Sequence, residues 1–201
     1  MFSWVFKVKI FPDVSFAANN EWGVPKLDLA YCPMALREPF LPWGSRNRQL
    51  EVYGSWHFYV EDYKFQALWN NPQGIIASNP VMVVEPNFSI PPHSPGVTAL
   101  YQIYRKRWLS RFWQIQGIFT IVDLNVPERH ADLNMLGVPM GWCAFATRGD
   151  RKNISKLWID WGIAKKKSGL ENPMFIVYCG GIKIEAICLD MGWFYFDSHR
   201  G

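Results

Sequence analysis

The chain has 201 residues and a mass of 23.4 kDa, a size that suits one domain, and its 49% hydrophobic content allows a sizeable core. It contains no apolar stretch of the about 20 residues that a membrane-spanning helix requires. Lys7 and Lys9 interrupt the apolar N-terminal run, so we expect no signal peptide there. We therefore expect a soluble, cytoplasmic protein without a membrane partner. The net charge of +4 favours anionic ligands only mildly.

Cysteine and histidine spacing predicts neither a disulfide framework nor a metal site. The cysteines are Cys32, Cys143, Cys179 and Cys188. They form no CxxC pair, so we expect free thiols in a reducing compartment. The four histidines lack metal-ligand spacing. The sequence identifies no cofactor and no oligomeric state.

We expect one domain over residues 1–201, with an N-terminal strand and an irregular covering segment in residues 1–54 and an α/β core in residues 55–201. Residues 2–10 end in the alternation of a half-buried strand, whereas prolines and glycines in residues 11–48 disfavour regular structure. The aromatic side chains and leucines of that segment predict an ordered layer over the core.

Apolar runs of strand length recur through the core. They predict strands at residues 55–60, 81–85, 118–122, 142–147, 174–179 and 193–196. The Gly180-Gly181 pair and the alternating pattern that follows it predict a further strand over residues 182–189, joined by a tight turn. Such strands, separated by amphipathic helices, are typical of an α/β fold with a mostly parallel central sheet and crossover helices on both faces, as a partial barrel or an open sheet.

Helix signals lie between these strands. Asp62 is expected to cap a short helix. Ser94, followed by a proline, is expected to cap a longer helix that ends near Gln116. Asn153 is expected to cap a third helix, which ends at Gly169.

The long second helix has a predicted apolar face. Its members are Val97, Leu100, Tyr101, Tyr104, Trp108, Phe112 and Ile115. Arg105 and Arg107 flank this face, and Lys106 points away from it. Arg111 falls within it, and because a buried guanidinium needs a partner, we expect Arg111 to bind a carboxylate.

Basic residues concentrate in two segments. Residues 99–122 contain basic but no acidic residues, and residues 148–167 have an excess of Lys and Arg over acids. Clustered cations bind polyanions through phosphate contacts, and the alternative is a solvated helix face with lysines at its C-terminal end, where they favour the helix dipole. The candidates for phosphate binding are Arg105, Lys106, Arg107, Arg148, Arg151 and Lys152.

Polar residues that follow the predicted strands form a second candidate site. The carboxyl ends of parallel strands share one edge of a sheet, where α/β folds bind their ligands. The catalytic candidates at these ends are Asn87, Ser89, Asp123, Asn125 and Thr147, next to Arg148, Tyr178 and Cys179. The alternative is that the asparagines and Ser89 only cap turns.

Familiar catalytic signatures, such as GxSxG, the Walker loop, GxGxxG and HExxH, are absent from the sequence. Glu85 and Asp123 form a candidate carboxylate pair for acid–base chemistry. Cys179 is disfavoured as a nucleophile because no base can be assigned to it. The sequence therefore leaves open whether the protein is an enzyme.

Several short motifs resemble one bacterial family. They are Glu85-Pro86-Asn87-Phe88-Ser89, Tyr104-Arg105-Lys106-Arg107 and Phe112-Trp113-Gln114, supported by Glu61-Asp62-Tyr63-Lys64-Phe65, Trp69-Asn70-Asn71-Pro72 and Gly137-Val138-Pro139-Met140-Gly141. Over residues 56–180 the chain is similar to domain of unknown function 4417, a family of phages, plasmids and their hosts. The family usually has aspartate at the position of Asn87, and often a tryptophan where this chain has Asp123-Leu124-Asn125. If that aspartate is catalytic in the family, Asn87 implies an inactive or altered site here.

The resemblance implies mobile-element biology and, by association, DNA replication or processing. Arg105 and Arg107 match the family as structural or phosphate-binding groups. The leading hypothesis is a nucleic-acid-binding accessory protein of a phage or plasmid. The first alternative is an enzyme that acts on a nucleotide or another small anion at the strand ends, and the second is a protein–protein adaptor that uses exposed aromatic residues.

Overall fold

The computed structural model describes residues 14–44 and 53–197; the strand predicted at residues 2–10 lies outside them. Within the described residues, seven strands form one sheet in which every neighbouring pair is parallel. The strands are β1 (Phe40–Pro42), β2 (Ser55–His57), β3 (Met82–Val84), β4 (Phe119–Asp123), β5 (Ala144–Arg148), β6 (Met174–Tyr178) and β7 (Phe194–Phe196). The predicted α/β fold with a parallel sheet is confirmed.

The sheet has the partial-barrel form. Its strands follow one another in chain order, from β1 at one edge to β7 at the other. The two edges curl toward each other, since the ring of Phe40 in β1 stacks on the ring of Phe196 in β7 with 4.5 Å between centroids. Because parallel crossovers are right-handed, a consecutive order places the connecting helices on the outside of the barrel.

Aromatic side chains fill the carboxyl-terminal half of the barrel interior. The ring of Tyr178 in β6 lies 4.3 Å from the ring of His57 in β2 and 5.5 Å from the ring of Tyr59, centroid to centroid. Trp56 in β2 and Phe58, just after that strand, belong to a buried cluster outside the sheet. The alternation of inner and outer side chains therefore follows the pleat, and the interior is a packed core.

Four α-helices connect the later strands. They are α1 (Gly96–Gln114), α2 (Ala131–Asn134), α3 (Ile154–Ser168) and α4 (Ile182–Met191). The predicted caps of α3 are confirmed: the side chain of Asn153 accepts a hydrogen bond from the amide of Lys156, and Gly169 ends the helix in a left-handed conformation.

The strand predicted at residues 182–189 is wrong, because these residues lie in helix α4. Gly180 and Gly181 both have positive φ, and they lead the chain into a helix instead of a hairpin. Ile184 and Cys188 are the buried side chains of this helix, four residues apart, whereas Ile182 is 84% exposed. The period-two pattern was therefore misleading, because the outer isoleucine does not face the core. Because this helix connects β6 to β7, β7 lies parallel to β6, at the edge of the sheet where a strand was predicted.

The predicted start and apolar face of α1 are also wrong in part. Pro95 occupies the N-cap position and no side chain caps the helix, while the carbonyl of Ser94 accepts a hydrogen bond from the His130 ring. Val97 and Ile115, expected inside, are 75% and 51% exposed. The buried side of the helix carries Ala99, Ile103, Lys106, Arg107, Trp108, Leu109, Ser110, Trp113 and Gln114. Lys106, Arg107 and Gln114 of this set have partners that the sequence did not reveal.

The segment between β2 and β3 forms three short 3₁₀ helices instead of the single helix expected from Asp62. They span Asp62–Lys64, Gln66–Trp69 and Pro72–Ser78. Together with the outer faces of β2, β3 and α1 they enclose a second buried cluster. Its aromatic members are Trp43, Trp56, Phe58, Phe65, Trp69, Phe88, Trp108 and Trp113. These eight aromatic side chains therefore pack the interior of the protein.

The described part of the N-terminal segment packs against the outside of the barrel. Residues Val24 and Leu27 are fully buried, and the backbone of Asp28 exchanges two hydrogen bonds with the side chain of Gln114 in α1. The segment also contributes β1 to the sheet, ahead of the expected start of the core at residue 55.

Candidate functional site

The carboxyl ends of β3 to β6 meet at one mouth of the barrel, and two open cavities lie there. The larger, of about 830 Å³, lies between the loops that follow β5 and β6. The smaller, of about 510 Å³, lies between the segments that follow β3 and β4. Asn125, Arg148 and Lys156 line both cavities. We refer to these two cavities and their lining as the mouth.

Asparagines occupy the side of the mouth formed by β3 and β4. The amide of Asn125 donates a hydrogen bond of 3.3 Å to the side-chain oxygen of Asn87, and both residues are half-buried. Ser89 lies at the rim, where its amide and hydroxyl both donate to the carboxylate of Asp62. All three residues line the smaller cavity, but the amide and hydroxyl of Ser89 are already bound to Asp62.

Cationic side chains occupy the other side of the mouth. Arg148 ends β5 and is exposed, and Arg151 and Lys152 follow in the exposed turn before α3. Lys156 lies in the first turn of α3 and is half-buried. These side chains all line the larger cavity. Three of the six residues predicted to bind phosphate therefore share one cavity with a fourth cation, Lys156, that the prediction omitted.

Lys156 is held in place by a buried carboxylate. Its ammonium group lies 2.7 and 2.9 Å from the two oxygens of Asp160, and Asp160 also accepts a 2.6 Å hydrogen bond from the hydroxyl of Thr147. Burial raises the pKa of Asp160 to about 6, against the lowering effect of Lys156 and Thr147. Thr147 therefore positions the Asp160 carboxylate, which in turn holds the ammonium group of Lys156. It is fully buried, so it does not itself reach the cavity.

Two loops at the mouth touch through glycines. A Cβ atom on Gly149, after β5, would lie 2.3 Å from the carbonyl oxygen of Cys179, after β6. Gly180 has φ of +114°, and a Cβ atom there would lie 2.7 Å from the side chain of Ile184. The turn into α4 thus approaches the turn before α3 backbone to backbone, which fixes the shape of the larger cavity.

Asp123 lies below the mouth in a fully buried network. One carboxylate oxygen accepts hydrogen bonds from the Tyr59 hydroxyl and the backbone amide of Asn125, both at 3.0 Å. The other oxygen lies 3.1 Å from the ammonium group of Lys106. Burial, followed by the proximity of Asp123, raises the pKa of Tyr59 well above its usual value. Asp123 is therefore a paired structural carboxylate, and Lys106 points into the protein instead of away from it.

Glu85 pairs with a second cation of α1. Its carboxylate binds Arg107, which also donates to the carbonyl groups of Leu136 and Asn134, and both side chains of the ion pair are fully buried. The other oxygen of Glu85 accepts from the backbone amide of Asp123. Glu85 and Asp123 therefore do lie together. Each is neutralised by its own cation, so the pair lacks the free carboxylate that acid–base chemistry needs.

The remaining basic residues of α1 also have internal contacts. The Arg105 guanidinium lies 3.8 Å from the centre of the Phe88 ring and donates to Gln102, and burial lowers its pKa. Arg111 lies 4.0 Å from the carboxylate of Asp28, the kind of partner expected for it. Lys106 and Arg107 are 2% and 0% exposed, so a phosphate cannot reach them. The basic cluster of α1 is thus mostly an internal one.

Sequence reasoning missed Lys156 and the glycine turn before α4. The Lys156–Asp160 spacing of four residues, which is favourable on a helix, was a usable signal for the first. The second was hidden because residues 182–189 had been interpreted as a strand. Cys179 lines the larger cavity with φ of +67°, and among the residues that the structure describes no histidine lines that cavity.

Neither a metal nor a membrane is indicated by the part of the chain that the structure describes. Within residues 14–44 and 53–197, no three His, Cys, Asp or Glu side chains form a group that could hold a metal ion. Over the same ranges no helix combines the length and the apolar character needed to cross a bilayer.

Comparison with known proteins connects the chain to phages. It is 28% identical over 110 residues to the Gene 1 protein of Mycobacterium phage D29, an alignment that covers 52% of this chain and 40% of the phage protein. It is 30% identical over 133 residues to the Gene 1 protein of Mycobacterium phage L5. That alignment covers 64% of this chain and 57% of the phage protein. The chain thus spans about half the length of these relatives. No solved structure matches it.

A family described as "Domain of unknown function (DUF4417)" matches residues 16–178. The matched range includes β1 to β6 and most of the side chains that line the mouth, and it ends just before the glycine turn that leads into α4. The chain belongs to this family, with relatives encoded by phages.

Proposed function

We propose that the protein binds a phosphate-bearing small molecule, of the nucleotide or sugar-phosphate class, at the mouth of the barrel. The observation that carries the proposal is the convergence of Arg148, Arg151, Lys152 and Lys156 on one open cavity. Side chains from β5, the following turn and α3 contribute to it, so the cations are held at different points around the cavity.

The anchored ammonium group of Lys156 is the centre of the proposed site. Asp160 fixes its position before any ligand arrives, which reduces the ordering cost of binding. Arg148 offers the planar donor fork that matches phosphate geometry. The N-terminus of α4 opens at the same cavity and supplies backbone amide groups with the favourable end of the helix dipole.

Carboxylates in the lining narrow the ligand class. Asp150, Glu185 and Asp197 also line the larger cavity, although the four cations outnumber them. The carboxylate of Asp150 accepts a hydrogen bond from the backbone amide of Lys152. A mixed lining suits a ligand that carries hydroxyl or amino groups beside its phosphate, since those groups donate to carboxylates. Asn87 and Asn125 provide further donors and acceptors on the opposite wall.

A thermal-shift panel tests the proposal. The ligands are pyrophosphate, nucleoside mono-, di- and triphosphates and pentose phosphates, with the matching nucleosides and free sugars as controls. A ligand that binds only the native state, at a concentration of about 100 times its Kd, adds about 2.7 kcal/mol to the free energy of unfolding. The melting temperature of the protein therefore rises measurably. Shifts with phosphorylated compounds and none with their neutral counterparts are the expected result. A flat response across the whole panel contradicts the proposal.

A second candidate is binding of a nucleic-acid end or a single strand at the same surface. It is favoured by the exposure of Arg148, Arg151 and Lys152, which were all predicted to contact phosphate. Here affinity for labelled single-stranded DNA falls steeply as salt rises, because phosphate contacts release counterions. The Lys152→Gln variant is expected to lower the slope of log affinity against log salt by about 1. A slope unchanged by Lys152→Gln counts against this candidate.

A further inference from the structure

We infer that the protein has a second binding site, for an organic carboxylate with an aliphatic tail, around Arg111 at the opposite end of the barrel. A cavity of about 550 Å³ lies there, between the N-terminal layer, the last turn of α1 and the loop before β5. It shares no lining residue with the two cavities of the mouth. The site is therefore independent of the proposed function.

The guanidinium of Arg111 is the polar centre of this cavity. Its Nη1 atom is buried and has no hydrogen-bond partner among the described residues. Its Nη2 atom lies 4.0 Å from the carboxylate of Asp28, longer than a hydrogen bond, and the group lies 5.7 Å from the centre of the Phe16 ring. A buried arginine donor normally has an acceptor, so this geometry points to an anionic oxygen supplied from the cavity.

Asp28 does not satisfy that requirement, because the 4.0 Å between its carboxylate and Arg111 is too long for a hydrogen bond. One of its carboxylate oxygens accepts from the amide of Ala30, where it caps a short 3₁₀ helix. Its backbone is held by Gln114. Lys26 lines the same cavity, so two cations face a single carboxylate in the lining. The local charge thus favours one further anion.

Apolar side chains beside the cations define the rest of the ligand. Leu29 and Met140 line the cavity and are 46% and 65% exposed, and Leu27 and Pro139 complete its apolar wall. A ligand with a short aliphatic tail would cover these side chains while its carboxylate binds Arg111. Convergent polar groups on an otherwise apolar wall are typical of small-molecule sites.

Amide chemical shifts during a titration with sodium hexanoate test this inference. Parallel titrations use hexanol, inorganic phosphate and sodium chloride at equal ionic strength. The expected result is saturable shifts at Leu27, Leu29 and Met140 with hexanoate, and weaker effects with the other three compounds. Equal effects of hexanol and hexanoate, or equal effects of phosphate and hexanoate, would overturn the assignment of a carboxylate with an aliphatic tail, as would the absence of saturable shifts.

Two variants locate the carboxylate. Arg111→Gln is expected to weaken hexanoate binding by about tenfold or more, the effect of losing about 1.4 kcal/mol. Lys26→Gln, at an exposed position, is expected to weaken hexanoate binding by a smaller factor. If Arg111→Gln fails to fold, the affinity of Lys26→Gln tests the position of the carboxylate instead. Arg151→Gln, in the mouth, is the matched control and should bind hexanoate as the wild type does. Wild-type affinity in both cavity variants overturns the inference, whatever the phosphate panel shows at the mouth.

Discussion

The ammonium group of Lys106 lies 3.1 Å from the carboxylate of Asp123, and the two side chains are 3% and 1% exposed. A lysine in the middle of a basic stretch is thus part of the core. Its neighbour Arg107 is buried against Glu85 in the same way. The basic residues in the middle of α1 are therefore neutralised by carboxylates at the ends of β3 and β4, and they do not require an external polyanion.

Replacement of Lys106 by methionine should destabilise the fold strongly. The Lys106→Met variant leaves the Asp123 carboxylate buried without its cation, a change that typically costs about 3 to 5 kcal/mol. Urea unfolding monitored by tryptophan fluorescence measures it. Lys166→Met, at an exposed position of α3, is the control, with an expected change within about 0.5 kcal/mol. A Lys106→Met protein as stable as the control would show that the buried pair is not required.

The raised pKa of Asp160 should appear in the pH dependence of stability. Its folded-state value of about 6 exceeds the ordinary value of 3.8, so the native state binds the extra proton between these two values. Stability contributed by this group is therefore present at low pH and decreases as pH rises through about 6, by about 3 kcal/mol in total.

The Asp160→Asn variant isolates this effect. The difference in unfolding free energy between wild type and variant, measured from pH 4 to pH 7, should change in favour of the variant as pH rises. A difference that is independent of pH, or one that changes in favour of the wild type, contradicts the raised pKa.

Gly149 should tolerate no side chain. In Gly149→Ala the new Cβ would lie 2.3 Å from the Cys179 carbonyl oxygen, so the turns after β5 and β6 must separate. We expect lower stability and weaker binding of the phosphorylated ligand. Gly162→Ala in α3 is the matched control, because nothing lies within 4 Å of a Cβ there and alanine favours a helix by up to about 1 kcal/mol. Equal melting temperatures for the two variants would contradict the described contact.

Thiol reactivity should separate Cys179 from the other cysteines. Cys179 is half-buried at the mouth, whereas Cys32, Cys143 and Cys188 are buried. Burial raises the pKa of Cys32 to about 12 and that of Cys188 to about 11, so both stay protonated and unreactive at neutral pH. Mass spectrometry after brief iodoacetamide treatment should find label first on Cys179. Earlier labelling of Cys32 would show that the N-terminal layer opens readily.

Periodicity and end signals were sufficient for the framework of the fold. The apolar runs before Glu85, Asp123 and Arg148 all became parallel strands, and Asn153 caps α3 as predicted. Since parallel strands end together, the grouping of Asn87 with Asn125 at one edge also followed from the sequence. Local signals sufficed wherever the deciding interactions were local.

The failures arose where distant partners decide the outcome. The burial of Lys106 depends on Asp123, which lies on the next strand, and no pattern within α1 encodes it. The alternating pattern predicts Ile182 on the inner face of a strand, but in the structure Ile184 and Cys188 form the buried face of helix α4. The short strand β1 was hidden by its flanking prolines, although its backbone pairs with β2. These features are set by tertiary contacts, which override local preference.

The most direct test of the central claim is a calorimetric titration of the best phosphorylated ligand from the panel into the wild type and two variants. The first variant combines Arg148→Gln with Arg151→Gln at the mouth, and the second is Lys166→Gln on the exposed side of α3. Our account predicts that the double variant loses at least about tenfold in affinity, or about 1.4 kcal/mol, while Lys166→Gln binds as the wild type does. Equal affinity in all three proteins would contradict a phosphate site at the mouth.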